Sequence, residues 1–320
     1  MTTTSRRSSG ALRGLCLAAA LLLLLLASCG LRGAHPGELG QGLRAAAANL
    51  KTANLGSEAQ ERVVLVTGAT GRTGLQTYQE LKKRAGVRVR ALVRNATKAA
   101  ALLDCGPCGS EQGIFVGDVT KPKSLPKAAF QGVDTLIVLT SAKPIKSKSG
   151  KWTFPKGGWP KEVDWKGQVV QFEAAVASGV DHVVLVSTAG TTAPEPPYIP
   201  MPGHDFFFKL NAEAVLMQSQ LRFTIVKPCG LTNAKVPFAS QVGHCDELPH
   251  PVTMPLISRS KVAEICVEAA IDPARSAHAR FDVCNDPLRP GQADDFDKLF
   301  AKAKKLDCFR SMWAPVVEQS

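Results

Sequence analysis

The sequence predicts an α/β protein with a doubly wound, mostly parallel sheet and a small C-terminal region beside it. Two observations carry this expectation. From residue 62 onward, apolar runs of four to six residues alternate with helical patterns, as strands buried on both faces do. The first such run, VVLVT at 63–67, opens directly into Gly68, Gly71 and Gly74 and then into a helical pattern.

The elements follow in order. Strands are expected at 62–67, 87–93, 114–116, 135–139, 182–187 and 222–226, with helices at 72–84, 124–130, 164–178 and 206–218. The tail offers a helix at 260–270, a strand at 280–283 and a helix at 294–305. That last helix starts acidic and ends basic, which suits its dipole. Crossovers between parallel strands are right-handed, so this order leaves little topological freedom. Two stretches break the rhythm: KPIKSKSGKWTFPKGGWP at 143–160 and the proline-rich 191–202. Both read as long loops leaving strand ends, the position of lids and specificity loops.

The glycine stretch, Gly68-Ala69-Thr70-Gly71-Arg72-Thr73-Gly74, has the form of a phosphate cradle. Gly68 permits the turn out of the strand, Gly71 lets backbone approach a pyrophosphate, and Gly74 seats the helix against the strand. The helix start then offers free N–H groups and positive dipole to an anion. Its place in a strand–turn–helix unit is the context that gives the motif meaning. About twenty residues on, NAD binders carry an acid for the ribose 2′-hydroxyl. Here that position holds Arg94, with no acid within four residues. A guanidinium binds a 2′-phosphate that a carboxylate would repel. NADP is therefore favoured over NAD, with Arg72 as a second cation.

Residues 1–55 read as a targeting leader and 56–320 as a single NAD(P)-binding domain. Arg6, Arg7 and Arg13 precede an uncharged run at 14–29. That run is short for a bilayer span and fits a signal peptide. Residues 30–55 hold one acid, Glu38, and resemble a transit segment. Together they match the two-part leaders of proteins sent to plastids with extra membranes, leaving no stable membrane span in the mature chain. Another organelle, an uncleaved anchor, or a lipid on Cys29 after Leu26-Ala27-Ser28 remain alternatives. The net charge of +12 falls to +7 without the leader, which suits a phosphorylated ligand and is too weak to argue for nucleic acid. Trp152, Trp159 and Trp165 are expected to clamp a loop or cover a cleft rather than stack on RNA.

The seven cysteines after residue 55 are an odd count and suggest no full disulfide framework. Nicotinamide cofactors are also scarce outside cells, so a reducing interior is expected. Cys105-Gly106-Pro107-Cys108 copies the thioredoxin tetrad but follows a helix end. It is expected as a surface turn with incidental thiols, a regulatory disulfide being the alternative. The six histidines show no paired metal spacing, and no metal is expected.

Taken together, VLVTGATGRTG, ALVR, GDVT, LIVLTSA, EVDWKGQ, HVVLVSTAG, KLNAEAVLMQSQLRFTIVKPCGL and SRSKVAEICVEA resemble the atypical short-chain dehydrogenase/reductases. The similarity is to their NmrA-like, NAD(P)-binding branch in plants and algae, and it runs from 62 to 270. It implies a Rossmann fold in which Asp118 and Val119 border the adenine. Leu139, Thr140 and Ser141 would line the ribose and nicotinamide side. Ser187 would face the nicotinamide, Lys209 would bond its ribose, and 228–230 would form a wall beside the ring.

One departure matters. Typical members use Tyr-x-x-x-Lys, the lysine lowering the tyrosine pKa so that the phenol can move a proton. Four residues before Lys209 stands Asp205. Two readings follow. In the first, the chain is an NADP-dependent oxidoreductase acting on a small carbonyl or conjugated substrate, with Lys209 positioning the cofactor and Ser187 or water handling the proton. In the second it is a catalytically silent NADPH-binding redox sensor, or an assembly factor for a photosynthetic complex.

Overall fold

Alternate side chains of the first strand, Arg62–Thr67 (β1), enter two different cores. Val64 and Val66 join one cluster and Leu65 the other, as a strand with helices on both faces requires. The computed structural model describes residues 61–192, 203–234, 238–248 and 256–305. The leader, Tyr198 and nearly all of 191–202 lie outside the described residues.

After β1 come α1 (Arg72–Lys82), β2 (Val87–Val93), α2 (Ala96–Leu103), β3 (Ile114–Val116), α3 (Lys127–Phe130) and β4 (Thr135–Val138). Next are β5 (Ile145–Lys146), β6 (Trp152–Thr153), α4 (Gly167–Ala177), β7 (His182–Val186), α5 (Asp205–Gln218) and β8 (Arg222–Pro228). The last part holds β9 (Gly230–Thr232), β10 (Phe238–Gly243), β11 (Leu256–Ser258), α6 (Arg259–Ile271), α7 (Pro273–Ser276), β12 (Ala279–Pro290) and α8 (Phe296–Ala303).

The main sheet has eight strands in the order β10-β12-β8-β7-β4-β1-β2-β3. Every neighbouring pair is parallel except β10 with β12. Strand order reverses between β1 and β4, and in such sheets the crevice at that reversal is where ligands bind. Tyr78 and Leu81 of α1, Val262 and Ile265 of α6, and Phe300 of α8 fill one core. Phe130, Phe172, Ala212 and Leu216 from α3, α4 and α5 fill the other.

The structure corrects several expectations. Part of the expected loop at 143–160 pairs as a two-residue antiparallel ribbon, β5 with β6. The helix expected at 164–178 begins as a π-helical turn, Lys161–Lys166. The strand expected at 280–283 extends to Pro290, because β10 pairs along it. Cys105 and Cys108, expected as a surface turn with incidental thiols, are bonded to each other, and Cys229, just after β8, is bonded to Cys284 within β12. Cys266 is a free, buried thiol whose pKa burial pushes up to about 12.

A buried ionic cluster ties the later strands together. Lys227 Nζ on β8 bonds Asp246 Oδ1 at 2.9 Å and lies 3.0 Å from Asp282 Oδ1 on β12, close without hydrogen-bond alignment. Asp246 also accepts from the amides of Gly190 and Thr192, which pins the segment after β7. Burial opposes the charge on Asp246, but Lys227, the Thr192 hydroxyl and the Gly190 amide overcome it and hold its pKa well below the carboxylate range. Asp282 goes the other way: burial, with Asp246 adding to it, raises it to about 6 against the pull of Lys227.

Removing the central cation isolates two buried carboxylates. Lys227→Ala is expected to lower unfolding free energy by about 3–5 kcal/mol, measured by chemical denaturation. His182, fully buried on β7, bonds Thr224 Oγ1 at 2.9 Å. Burial first, then Arg62 and His278, lowers its pKa to about 3. The unfolded chain, with an imidazole pKa of about 6.5, therefore binds the proton that the fold rejects. This contribution to stability is complete above that value and is lost as pH falls towards 3. A pH series of denaturation curves should show that loss, and His182→Asn should flatten it.

Candidate functional site

Three elements meet at the glycine turn. Gly68 has φ +72°, and a Cβ there would lie 2.7 Å from the Leu139 carbonyl oxygen after β4. A Cβ at Gly74 would overlap the Gly68 carbonyl, so only glycine lets α1 start this close to β1. A Cβ at Gly71 would meet nothing but the Gly68 oxygen, at 3.0 Å. No side chain caps α1, which leaves its first-turn amides for a ligand.

These residues open one cavity of about 880 Å³. Every site residue expected from the sequence lines it: Gly68, Thr70, Gly71, Arg72, Thr73, Gly74, Arg94, Asp118, Val119, Leu139, Thr140, Ser141, Ser187 and Lys209. Six cations share the lining, Lys143 and Lys209 together with Arg72, Arg94, Lys98 and Arg259. Arg259 opens α6, bonds Asn233 Oδ1 at 2.8 Å, and has its pKa lowered by burial and then by Arg72. Arg72 and Arg259 thus lie near enough to repel each other across the same cavity. Asp118 shapes its own turn, accepting from the Thr120 amide at 3.0 Å and hydroxyl at 2.8 Å.

The other part of the cavity is built around Lys209. Its Nζ donates to Asp164 Oδ1 at 2.7 Å and Ser141 Oγ at 3.1 Å. Asp164 lies in the π-helical turn, wholly buried, and its second oxygen accepts from the Ala142 amide at 3.1 Å. Gln168 Nε2 donates to the Thr140 carbonyl at 3.0 Å, and Gln171 Nε2 to its hydroxyl at 3.1 Å. These bonds hold the chain after β4. Ser187 donates to Glu213 Oε1, and Glu213 Oε2 pairs with Arg280 at 2.6 Å.

Residues 228–230 stand in the same wall, with Cys229 tied to Cys284 behind it. Lys143 and Pro144 enter from the long loop, while Trp159 packs on Phe154 and Trp165 stacks on Phe208. Among the described residues no tyrosine lines the cavity, and Tyr78 is core.

Sequence reasoning missed Lys98, Arg259, Asp164 and Glu213 as parts of the site. Lys98 had a signal, four residues past Arg94. Arg259 reaches the cavity, and Asp164 and Glu213 stand behind Lys209 and Ser187, through packing between distant segments, which no local spacing records.

A crevice at the strand reversal, with a glycine-only helix seat and a cluster of cations, defines a dinucleotide-binding domain. The comparisons agree. The profile of the NAD(P)H-binding family matches residues 68–273. Sanguinarine reductase of Eschscholzia californica is 30% identical over 276 residues, covering 78% of this chain and 98% of that protein. An uncharacterised chloroplastic protein of Arabidopsis thaliana is 33% identical over 263 residues, covering 78% of each chain. A putative NAD-dependent epimerase/dehydratase from Bacillus halodurans superposes with a TM-score of 0.58 at 24% identity, covering 75% of this chain and 99% of its own. The chain belongs to the NAD(P)-binding, NmrA-like family of atypical short-chain dehydrogenase/reductases.

The Lys209–Asp164 pair is almost sealed, its side chains 9% and 1% exposed. Asp164→Ala strands the ammonium and frees the Ala142 amide. It is expected to destabilise the fold by about 3–5 kcal/mol and lower the melting temperature in calorimetry, whereas Asp164→Asn should lose less.

Proposed function

We propose that this chain is an NADP-dependent oxidoreductase acting on a small carbonyl or conjugated acceptor. One observation carries the reading: a single cavity joins a cationic part at the glycine cradle to Lys209, which is held by buried Asp164 and by Ser141 at the surface of the cavity. The cradle fits a dinucleotide, since the space that a Cβ would fill is kept clear and the helix amides are uncapped.

When bound, the reduced cofactor supplies a hydride. The protein's residues do the rest. Gly68 to Gly74 and Arg259 hold the pyrophosphate, and Asp118 and Val119 border the adenine. Leu139, Thr140 and Ser141 follow the ribose and nicotinamide side, and Lys209 bonds the nicotinamide ribose with the N–H that Asp164 and Ser141 leave over. Lys143 and Pro144 bring the long loop over the substrate and exclude water. Arg94, exposed at the end of β2 with Lys98 one turn on, takes the 2′-phosphate. NAD is the less favoured cofactor.

The reductase named among the relatives supports this class of chemistry. The chloroplastic relative supports a plastid location, as does the expected leader. No helix among the described residues is long and apolar enough to cross a membrane. A second reading, a silent NADPH-binding sensor or assembly factor, is favoured by the absence of a phenol from the lining among the described residues.

NADPH consumption with a carbonyl panel separates the two readings; micromolar binding without turnover would leave only the second. Arg94→Ala is expected to weaken NADPH about tenfold or more, the worth of a charge-assisted contact, and to leave NADH nearly unchanged. Fluorescence titration with both cofactors checks this, and equal losses would remove the NADP assignment.

A further inference from the structure

A carbonyl reductase needs a proton donor, and on the reductase reading above no tyrosine among the described residues lines the cavity to supply one. The hydroxyls near Lys209 are engaged. Ser187 gives its proton to Glu213, itself held by Arg280, so Ser187 can accept from a ligand but not donate to one. Ser141 accepts from Lys209, its own O–H faces the Ala142 carbonyl at 3.5 Å, and Lys209 is bound to Asp164.

Two acids line the cavity, Asp118 and Asp205; Asp118 accepts from Thr120 beyond β3, and Asp205 is the one on the helix that carries Lys209. It stands at the first residue of α5, one turn before Lys209 on the same helical face, where typical family members place the phenol. We infer that Asp205 is the catalytic acid of this site and that its substrates are neutral carbonyls.

The surroundings of the carboxyl fit that task. Burial raises its pKa, and the charge of Asp164 adds to the rise. Lys209 and the amides of Asp205 and Phe206 oppose it without cancelling it. Asp205 is nonetheless half-buried rather than sealed, so water can restore its proton after each turnover. In the step itself, hydride from the reduced nicotinamide forms the new C–H bond and the carbonyl π bond breaks towards oxygen. The Asp205 O–H bond breaks as the alcohol O–H forms. The products are the alcohol, the oxidised cofactor and a carboxylate that solvent reprotonates.

A pair of probes tests this. Nitrobenzaldehyde needs both hydride and proton, whereas N-methylacridinium is already cationic and needs hydride alone. Asp205→Asn is expected to lower kcat for nitrobenzaldehyde by about 10²–10⁴-fold, the usual worth of a general acid. It should leave acridinium reduction and NADPH affinity within about threefold, the latter showing that the variant is folded. Asp205→Glu should restore part of the aldehyde rate, and the wild-type aldehyde rate should fall as pH rises through the Asp205 pKa. Independently of turnover, infrared difference spectra of the cofactor-free protein across a pH series, wild type minus Asp205→Asn, should show this carboxyl keeping its proton to higher pH than a free aspartate does.

Loss of both reactions in Asp205→Asn would make Asp205 a structural residue and overturn the inference. So would unchanged aldehyde reduction, or a carboxyl that titrates as a free aspartate does. Wild-type protein that reduces only the acridinium sinks the acid and leaves the reductase reading standing. Reduction of neither probe sinks both.

Discussion

The architecture turns on a backbone contact that tolerates no side chain. Gly74 in the first turn of α1 rests against the Gly68 carbonyl, and Gly68 rests against the Leu139 carbonyl beyond β4. Strand, helix and neighbouring strand thus converge at one point, on the line where the sheet reverses its order. Move α1 outward by the width of a methyl group and its free amides no longer look into the crevice. The helix dipole, the cations and the long cavity all take their positions from this seat.

Around that seat the protein treats charge in two ways. Deep charges are matched: Lys209 with Asp164, Arg280 with Glu213, and Lys227 with Asp246 and Asp282. Each group is worth burying only because its partner is buried with it. Arg72 and Arg94 have no ion pair among the described residues. Exposed and unmatched, they leave one wall of the cavity electropositive, where an anion supplies the missing counter-charge.

Much of the framework is legible in the sequence because its rules are local. β1, β2, β3, β4, β7 and β8 are short apolar runs between turn-forming residues, and the glycine step announces its own geometry. What the sequence hides is set by distance. Asp164 meets Lys209 across 45 residues, and Glu213 meets Ser187 across 26. β10 pairs along β12 from a segment with mixed patterning, FASQVG. The π-helical turn is also invisible in periodicity, although its extra residue turns Asp164 inward. Cys229 and Cys284 come together only because Pro228 aligns with Val283 in the sheet. The fold was readable from repetition; the site's charge network depended on packing.

The Cys229–Cys284 bond closes a covalent ring spanning 55 residues. That ring includes Cys229, Gly230 and Arg259, all of which line the cavity, with Arg259 bonded to the Leu231 carbonyl beside Gly230. A crosslink of this span removes about 4 kcal/mol of chain freedom from the denatured ensemble. Oxidising power in the surrounding compartment is therefore thermodynamically coupled to how firmly these residues of the cleft are retained, through the unfolded state and without altering a single native contact in it.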